Sequence, residues 1–204
     1  MRKFSAFFVL FFILIFDGYG FSQDTPEGFA QYRIKVGDTL SKIAPQIQWE
    51  IIMRVNRIDE RHLPLGKIIL LPADVEKAEK FLPLPKNISE KYQNSRLIYV
   101  VQKDQFFGVY EKGELIFWGP ISSGRTEYKT PTGEFKILWK ARKYRSKKYD
   151  VPMPLAINIS HEGYFIHQQT LAGRPISHGC VRLLYADAKK LFTWSKIGDS
   201  VIIE

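Results

Sequence analysis

Polar and apolar residues alternate over Tyr32-Arg33-Ile34-Lys35-Val36, the period-two signature of a half-buried strand. Gly37-Asp38 turns the chain, and Asp38 or Thr39 is placed to cap a helix running through Leu40, Ile43 and Ala44. Ile51, Ile52 and Val55 give a second short helix an apolar face. Leu65-Gly66 leads into a closing strand, Lys67-Ile68-Ile69-Leu70-Leu71, stopped by Pro72. Residues 30–73 therefore predict a small βααβ module. Across 74–95 the pattern dissolves into charges, Pro83 and Pro85, a linker opening with a short helix. From 96 to 204 short apolar runs return, at 97–101, 106–110, 114–117, 135–139, 155–159, 163–167 and 201–203, with Tyr185–Trp194 at helical spacing. Many short strands with one helix predict a mainly-β, sandwich-like domain, and an α+β chain as a whole.

The first residues follow a different pattern. Arg2 and Lys3 precede an apolar run from Phe4 to Phe16 broken by Ser5; roughly 13 residues suit a secretory signal and are short for a bilayer. Gly18 and Gly20, or Gly20 and Ser22, are cleavage-compatible small residues. Residues 1–20 are expected to be a signal peptide, with an uncleaved N-terminal anchor as the alternative, and the protein to reside in the periplasm or cell wall. The chain carries 30 Lys+Arg against 21 Asp+Glu, a net charge of +9. Losing Arg2, Lys3 and Asp17 with the signal leaves nearly all of that excess, which points to an anionic partner. The single cysteine excludes an internal disulfide framework and a thiolate-rich zinc site. An exported lone thiol is either buried and inert or kept for chemistry.

The small module resembles the LysM family. The residues that carry the likeness are Tyr32, Val36-Gly37-Asp38-Thr39-Leu40, Ile43-Ala44, Val55-Asn56, Leu63 and the Leu65-Gly66 to Leu71-Pro72 ending. The resemblance implies binding of glycans containing N-acetylglucosamine. It would place the sugar between Gly37, Asp38 and Thr39 after the first strand and Asn56, Arg57 and Ile58 after the second helix. Gly37 and Asp38 would also serve simply as a turn and a cap.

The chemistry concentrates in Ser177-His178-Gly179-Cys180-Val181-Arg182, with His167 at the end of an upstream apolar strand. A cysteine nucleophile needs a base, a tuned thiol and donors for an oxyanion. Gly179 lets a carbonyl approach the sulfur. In extended backbone His178 and Arg182 share a face with Cys180, which predicts positive potential beside a thiolate. These residues, with Ser123-Gly124, Thr130-Pro131-Thr132-Gly133-Glu134-Phe135 and the closing Gly198-Asp199-x-Val201-x-Ile203, resemble the YkuD-type L,D-transpeptidase catalytic domain over about 96–203.

That resemblance implies a fold and a reaction. Cys180 would attack the carbonyl joining the third and fourth residues of a peptidoglycan tetrapeptide stem, releasing D-Ala and leaving a thioester. His167 would act as base and acid, with its other ring nitrogen held by a backbone carbonyl, and N–H groups around Gly179 and Cys180 would hold the oxyanion. Arg182, His178, Ser177 and Tyr149 would contact or orient substrate. An amine of another stem, or of an outer-membrane protein, would resolve the thioester, with no cofactor and no metal. Two alternatives stay open on the sequence. One is an L,D-carboxypeptidase or amidase of the same fold with water as acceptor; the other is a non-catalytic wall-binding protein.

Three further features bear on partners. His161, His167 and His178 could be zinc ligands by residue type, but their spacing is not that of a helical metal motif. Residues 136–148 hold Lys136, Lys140, Arg142, Lys143, Arg145, Lys147 and Lys148 beside Tyr144 and Tyr149, a nucleic-acid-like mix. Export argues against nucleic acid, and the transpeptidase resemblance implies that this region is a flap over the substrate cleft, with carboxylate-bearing stems or anionic wall polymer as its partners. The stretch is read either as a lid over the cleft or as a solvated loop. A monomer is expected.

Overall fold

A computed structural model describes residues 25–89, 92 and 96–204; the expected signal peptide, residues 1–20, lies outside them. In the N-terminal module, β1 (Phe29–Arg33) pairs antiparallel with β2 (Ile68–Pro72), Phe29 opposite Pro72 and Arg33 opposite Ile68. The first strand thus begins three residues ahead of the expected 32–36. The reason lies in burial, since Phe29 and Ile34 are both inside whereas Val36 is 87% exposed. Between the strands run α1 (Leu40–Ile43), a single 3-10 turn at Gln46–Gln48 and α2 (Trp49–Asn56). Asp38 does not cap α1. Its carboxylate accepts from Tyr32 Oη at 3.0 Å and from the Lys35 N–H at 2.7 Å, closing the turn instead. Leu40, Ile52, Ile58 and Ile69 fill the core.

The larger domain is one nine-stranded sheet. In chain order its strands are β3 (Arg96–Val101), β4 (Phe106–Glu111), β5 (Glu114–Ser122), β6 (Gly133–Lys136), β7 (Trp139–Ala141), β8 (Ala156–Asn158), β9 (Phe165–Gln168), β10 (Val181–Leu183) and β11 (Ser200–Ile203). Their spatial order is β6-β11-β3-β4-β5-β10-β9-β8-β7. β6 and β7 therefore sit at opposite edges although only two residues separate them in sequence. Ile137 bonds Asp199 O at 3.0 Å and accepts from Gly198 N–H at 2.8 Å, while the Leu138 N–H reaches Asn158 O at 2.9 Å. One dipeptide stitches both edges, so the sheet curls onto itself. The expected single strand at 135–139 is thus two strands, broken where the chain crosses between edges. Inside the curl lie Ile98, Val100, Phe107, Val109, Ile121, Ile166, Val181 and Leu191.

One helix covers the sheet, α4 (Tyr185–Trp194), with the expected bounds. Its C-terminal carbonyls are met by Lys140 Nζ, which donates to Phe192 O at 2.6 Å and also to Ser195 O. A cation at that end satisfies orphan carbonyls and the helix dipole together. The segment after β2 is no free tether. Its short α3 (Val75–Ala78) is capped by Asp74, whose Oδ1 accepts from the Lys77 N–H at 3.2 Å. Phe81 then packs edge-on against Trp118 and Phe29, Leu84 is buried, and the Ile88 N–H bonds Gly113 O at 3.0 Å.

Candidate active site

β9 and β10 run parallel, with Val181 level with Ile166 and Arg182 level with His167. Cys180, one residue ahead of β10, is therefore level with Phe165. Registered neighbours in a parallel pair share a face, and so do residues two apart. Register alone thus places His167, Arg182, Cys180 and Phe165 on one side of the sheet. Ahead of the strand, Ser177 builds the turn that presents the sulfur. Its Oγ donates to Cys180 O at 2.5 Å and accepts from the Gly179 N–H at 3.0 Å. Gly179 has φ +104, and a Cβ there would lie 2.8 Å from Tyr164 Cε1, so glycine is required by both conformation and space.

The turn is braced by the two upstream motifs. The Ser177 N–H bonds Ser123 O at 3.0 Å and the Arg125 N–H bonds Ser177 O at 3.1 Å. Thr130 Oγ1 accepts from the Gly124 N–H at 2.8 Å. A Cβ on Gly124 would fall 2.0 Å from Tyr128 O. Ser123-Gly124 and Thr130 are thus part of the scaffold of the turn that carries Cys180.

The electrostatics depart from the expectation of a resting thiolate. Burial pushes the Cys180 thiol up, only partly offset by the Phe165 amide and Arg182. His167 is 4% exposed, and burial pulls it down to about 4, against the opposing pull of its bond to Gln168. Its Nδ1 lies 2.9 Å from Gln168 O, which accepts, so Nδ1 carries the proton and Nε2 is left as the basic nitrogen. The pair is therefore thiol and neutral imidazole, because burial disfavours both charged forms, and Arg182 opposes it at Cys180 but reinforces it at His167. The Gly179 N–H is occupied by Ser177 Oγ, so the expected pair of oxyanion donors is not free. The Cys180 N–H has no partner among the described residues.

A cationic rim lies beside this pair, around His178, and one member of it, Arg125, is paired with Glu127 at 3.3 Å. The Arg182 guanidinium forms no ion pair or hydrogen bond among the described residues. Burial, then Arg125, Arg182 and Lys148, lower the pKa of His178. The His178 ring lies between Tyr128 at 4.8 Å and Tyr149 at 4.7 Å. Tyr149 is thus placed beside His178. Arg125 and Tyr128 were not foreseen; the only sequence signal was their position between two glycine motifs. The basic stretch divides by role. Lys140 caps α4, Lys136 Nζ bonds Ser200 Oγ at 2.8 Å, and Arg145 pairs with Asp150 at 2.5 Å across the 142–153 hairpin. Only Lys148 of that stretch acts on His178. No group of three His, Cys, Asp or Glu side chains that could hold a metal occurs among the described residues, so His161, His167 and His178 are not gathered.

The six glycan-binding candidates separate into two sets. Gly37, Asp38 and Thr39 lie in the β1–α1 turn, where Asp38 has the structural bonds given above. Asn56 is buried in the module, its Nδ2 donating to Ile52 O at 2.9 Å and Leu70 O at 2.8 Å, its Oδ1 accepting from the Leu70 N–H at 2.8 Å. Arg57 turns toward the larger domain, its Nε donating to Asp104 O at 2.9 Å with the guanidinium 4.6 Å over Phe106. Ile58 is fully buried and bridges Ala172. The expectation that Asn56, Arg57 and Ile58 face a sugar is corrected: one holds the module together and two face its neighbour.

Comparison with known proteins agrees with this architecture. Residues 32–72 match the LysM domain and residues 95–203 match the L,D-transpeptidase catalytic domain of the YkuD family. A Mycobacterium tuberculosis protein named "Probable L,D-transpeptidase 3" is 30% identical over 102 residues, covering 42% of this chain and 38% of that protein. The chain therefore spans well under half the length of this curated relative. An L,D-transpeptidase structure from Stackebrandtia nassauensis superimposes with TM-score 0.52 at 30% identity, covering 62% of each chain. One from Mycobacterium smegmatis shares the fold at 18% identity, with TM-score 0.51 over 70% of this chain and 76% of its own. With a LysM domain ahead of a curled sheet that carries the Ser-His-Gly-Cys turn, this chain belongs to the L,D-transpeptidase (YkuD) family.

Proposed function

We propose that this chain is an exported peptidoglycan L,D-transpeptidase with Cys180 as nucleophile. The observation that carries the reading is the shared face of Cys180, His167 and Arg182, with His167 Nδ1 tied to Gln168 O. The proton on Cys180 passes to His167 Nε2 as Sγ attacks the carbonyl between the third and fourth stem residues. The resulting oxyanion is met by the Cys180 N–H. His167 returns the proton to the departing D-Ala amine, the C–N bond breaks, and a thioester remains. An acceptor amine then attacks it, losing a proton to His167, and the thiol is restored. A neutral resting pair suits this sequence, because the base must be unprotonated before attack.

The cationic rim supports a carboxylate-bearing donor. Arg182, Arg125 and Lys148 converge near His178, and Arg182, unlike Arg125 with its Glu127, has no anionic partner among the described residues. Tyr128 and Tyr149 would flank the entering stem, with the 142–153 hairpin as its cover. The LysM domain and the net charge of +9 support retention on wall polymer. The Arg2-Lys3 and Phe4–Phe16 pattern supports export. Incubating the full chain with disaccharide-tetrapeptides should yield cross-linked dimers and free D-Ala, and Cys180→Ala should yield neither. Tripeptides in place of dimers, with an acceptor amine in excess, would assign the chain to hydrolysis.

A further inference from the structure

The segment from Gln168 to Ile176 joins His167 to Ser177 and so spaces the base from the turn that holds the nucleophile. Its two ends are tied within the larger domain. The Gln169 N–H bonds Leu183 O at 3.1 Å. At the other end Ser122 Oγ donates to Arg174 O at 2.8 Å and accepts from the Ile176 N–H at 3.1 Å.

Its middle is held by the N-terminal module. The Asp59 N–H donates to Leu171 O at 3.0 Å, and the Leu171 N–H donates back to Asp59 Oδ2 at 3.0 Å. Ile58 and Ala172 form an antiparallel bridge, and the Gly173 N–H donates to Arg57 O at 2.9 Å. Ile58 and Leu171 are both fully buried. Gly173 has φ +71, and a Cβ there would lie 3.4 Å from Asn56 O and Ile58 Cγ2. Asp59 is itself fixed, because Oδ1 accepts from the Arg61 N–H at 2.9 Å and from His62 Nδ1 at 2.6 Å. One carboxylate therefore clamps its own loop with one oxygen and the catalytic segment with the other.

We propose that Asp59 is a positioning residue for the active site, so that the LysM domain completes the catalytic domain by setting the path of the segment between His167 and Cys180. The inference rests on the reading of those two residues as the reacting pair. It also explains why the loop expected to face a glycan is turned inward: its backbone and Asp59 are engaged by residues 171–173. A charge-assisted hydrogen bond to a backbone amide is among the stronger ones available to a loop. A small misplacement of a reacting group, caused by a change far from the chemistry, lowers turnover.

The test uses the full chain with Asp59→Ala and Asp59→Asn, the latter keeping an oxygen acceptor for the Leu171 N–H. Cys180 is the sole cysteine, so its alkylation by iodoacetamide across pH reports its environment without any substrate. With disaccharide-tetrapeptide, Asp59→Ala should lower kcat on the order of tenfold with KM within about twofold. It should also alter the pH profile of alkylation, and Asp59→Asn, which keeps one acceptor oxygen where the carboxylate has two, should restore both in part. A folded Asp59→Ala with wild-type kcat and alkylation profile would overturn the proposal. So would an Asp59→Asn variant no better than alanine. Should the alanine variant unfold, Asp59→Ser, too short to reach the Leu171 N–H, is judged by the same outcomes. A wild-type chain inert towards the donor would contradict the transpeptidase reading, while the alkylation profile would still test Asp59 separately.

Discussion

At Gly179 conformation, space and chemistry meet. Its φ of +104 is one that L side chains rarely adopt, and the ring of Tyr164 occupies the place a Cβ would take. Gly179→Ala is expected to cost about 1–3 kcal/mol of strain, released by shifting the turn that carries Cys180. Turnover should therefore fall much further than thermal stability, which paired kinetics and calorimetry would show. The burial that raises the Cys180 thiol and lowers His167 to about 4 also sets a pH dependence. Acylation by a stem donor should decline as pH falls through about 4, when His167 takes up its proton and ceases to be a base. It should show no inflection through the neutral range. The motif residues were readable in the sequence because a Ser-His-Gly-Cys run with an Arg two residues on is chemically unusual. The protonation state was not, because it depends on burial that only the curled sheet creates.

Among the elements, α4 is held by partners from far along the chain. Lys140, read from the sequence as one of seven charges in a candidate lid, bonds the carbonyls of Phe192 and Ser195. Lys140→Met should therefore destabilise the fold by about 1–2 kcal/mol and leave kcat unchanged, as a denaturation curve beside a rate measurement would show. On the same helix Asp187 is buried against α2, where burial pushes its carboxyl up to about 6 despite Arg54 at 3.8 Å. A carboxyl that holds its proton more tightly folded than unfolded loses stability as pH rises from its ordinary 3.8 through about 6. Asp187→Asn should thus raise the melting temperature at pH 8, by an equivalent of about 1–3 kcal/mol, and raise it little near pH 4. α4 was legible to the residue because its spacing is regular. The split of 135–139 into β6 and β7 was not, since a continuous apolar run does not show that its halves pair with opposite edges. β10 is three residues long and was hidden inside the Ser177–Arg182 motif.

For the molecule as a whole, the two domains are joined by more than the chain between them. Arg54 stacks on Trp118 and bonds its carbonyl, Arg57 covers Phe106, and Ile58 is buried against the segment at Leu171. A joint with a buried apolar centre should not open before the domains melt, so calorimetry should give one cooperative transition. Two separated transitions would contradict this. The sequence showed both domains but not their docking, because Asn56, Arg57 and Ile58 are equally suited to a sugar or to a neighbouring surface. On the proposed function, Cys180 accepts an acyl group from a stem peptide. The most direct test of this is the intact mass of the full chain after incubation with a tetrapeptide donor and no acceptor. The expected gain is that of the donor less one alanine, absent in Cys180→Ala. An unchanged mass in the wild-type chain with no free D-Ala, or the same adduct on Cys180→Ala, would contradict it.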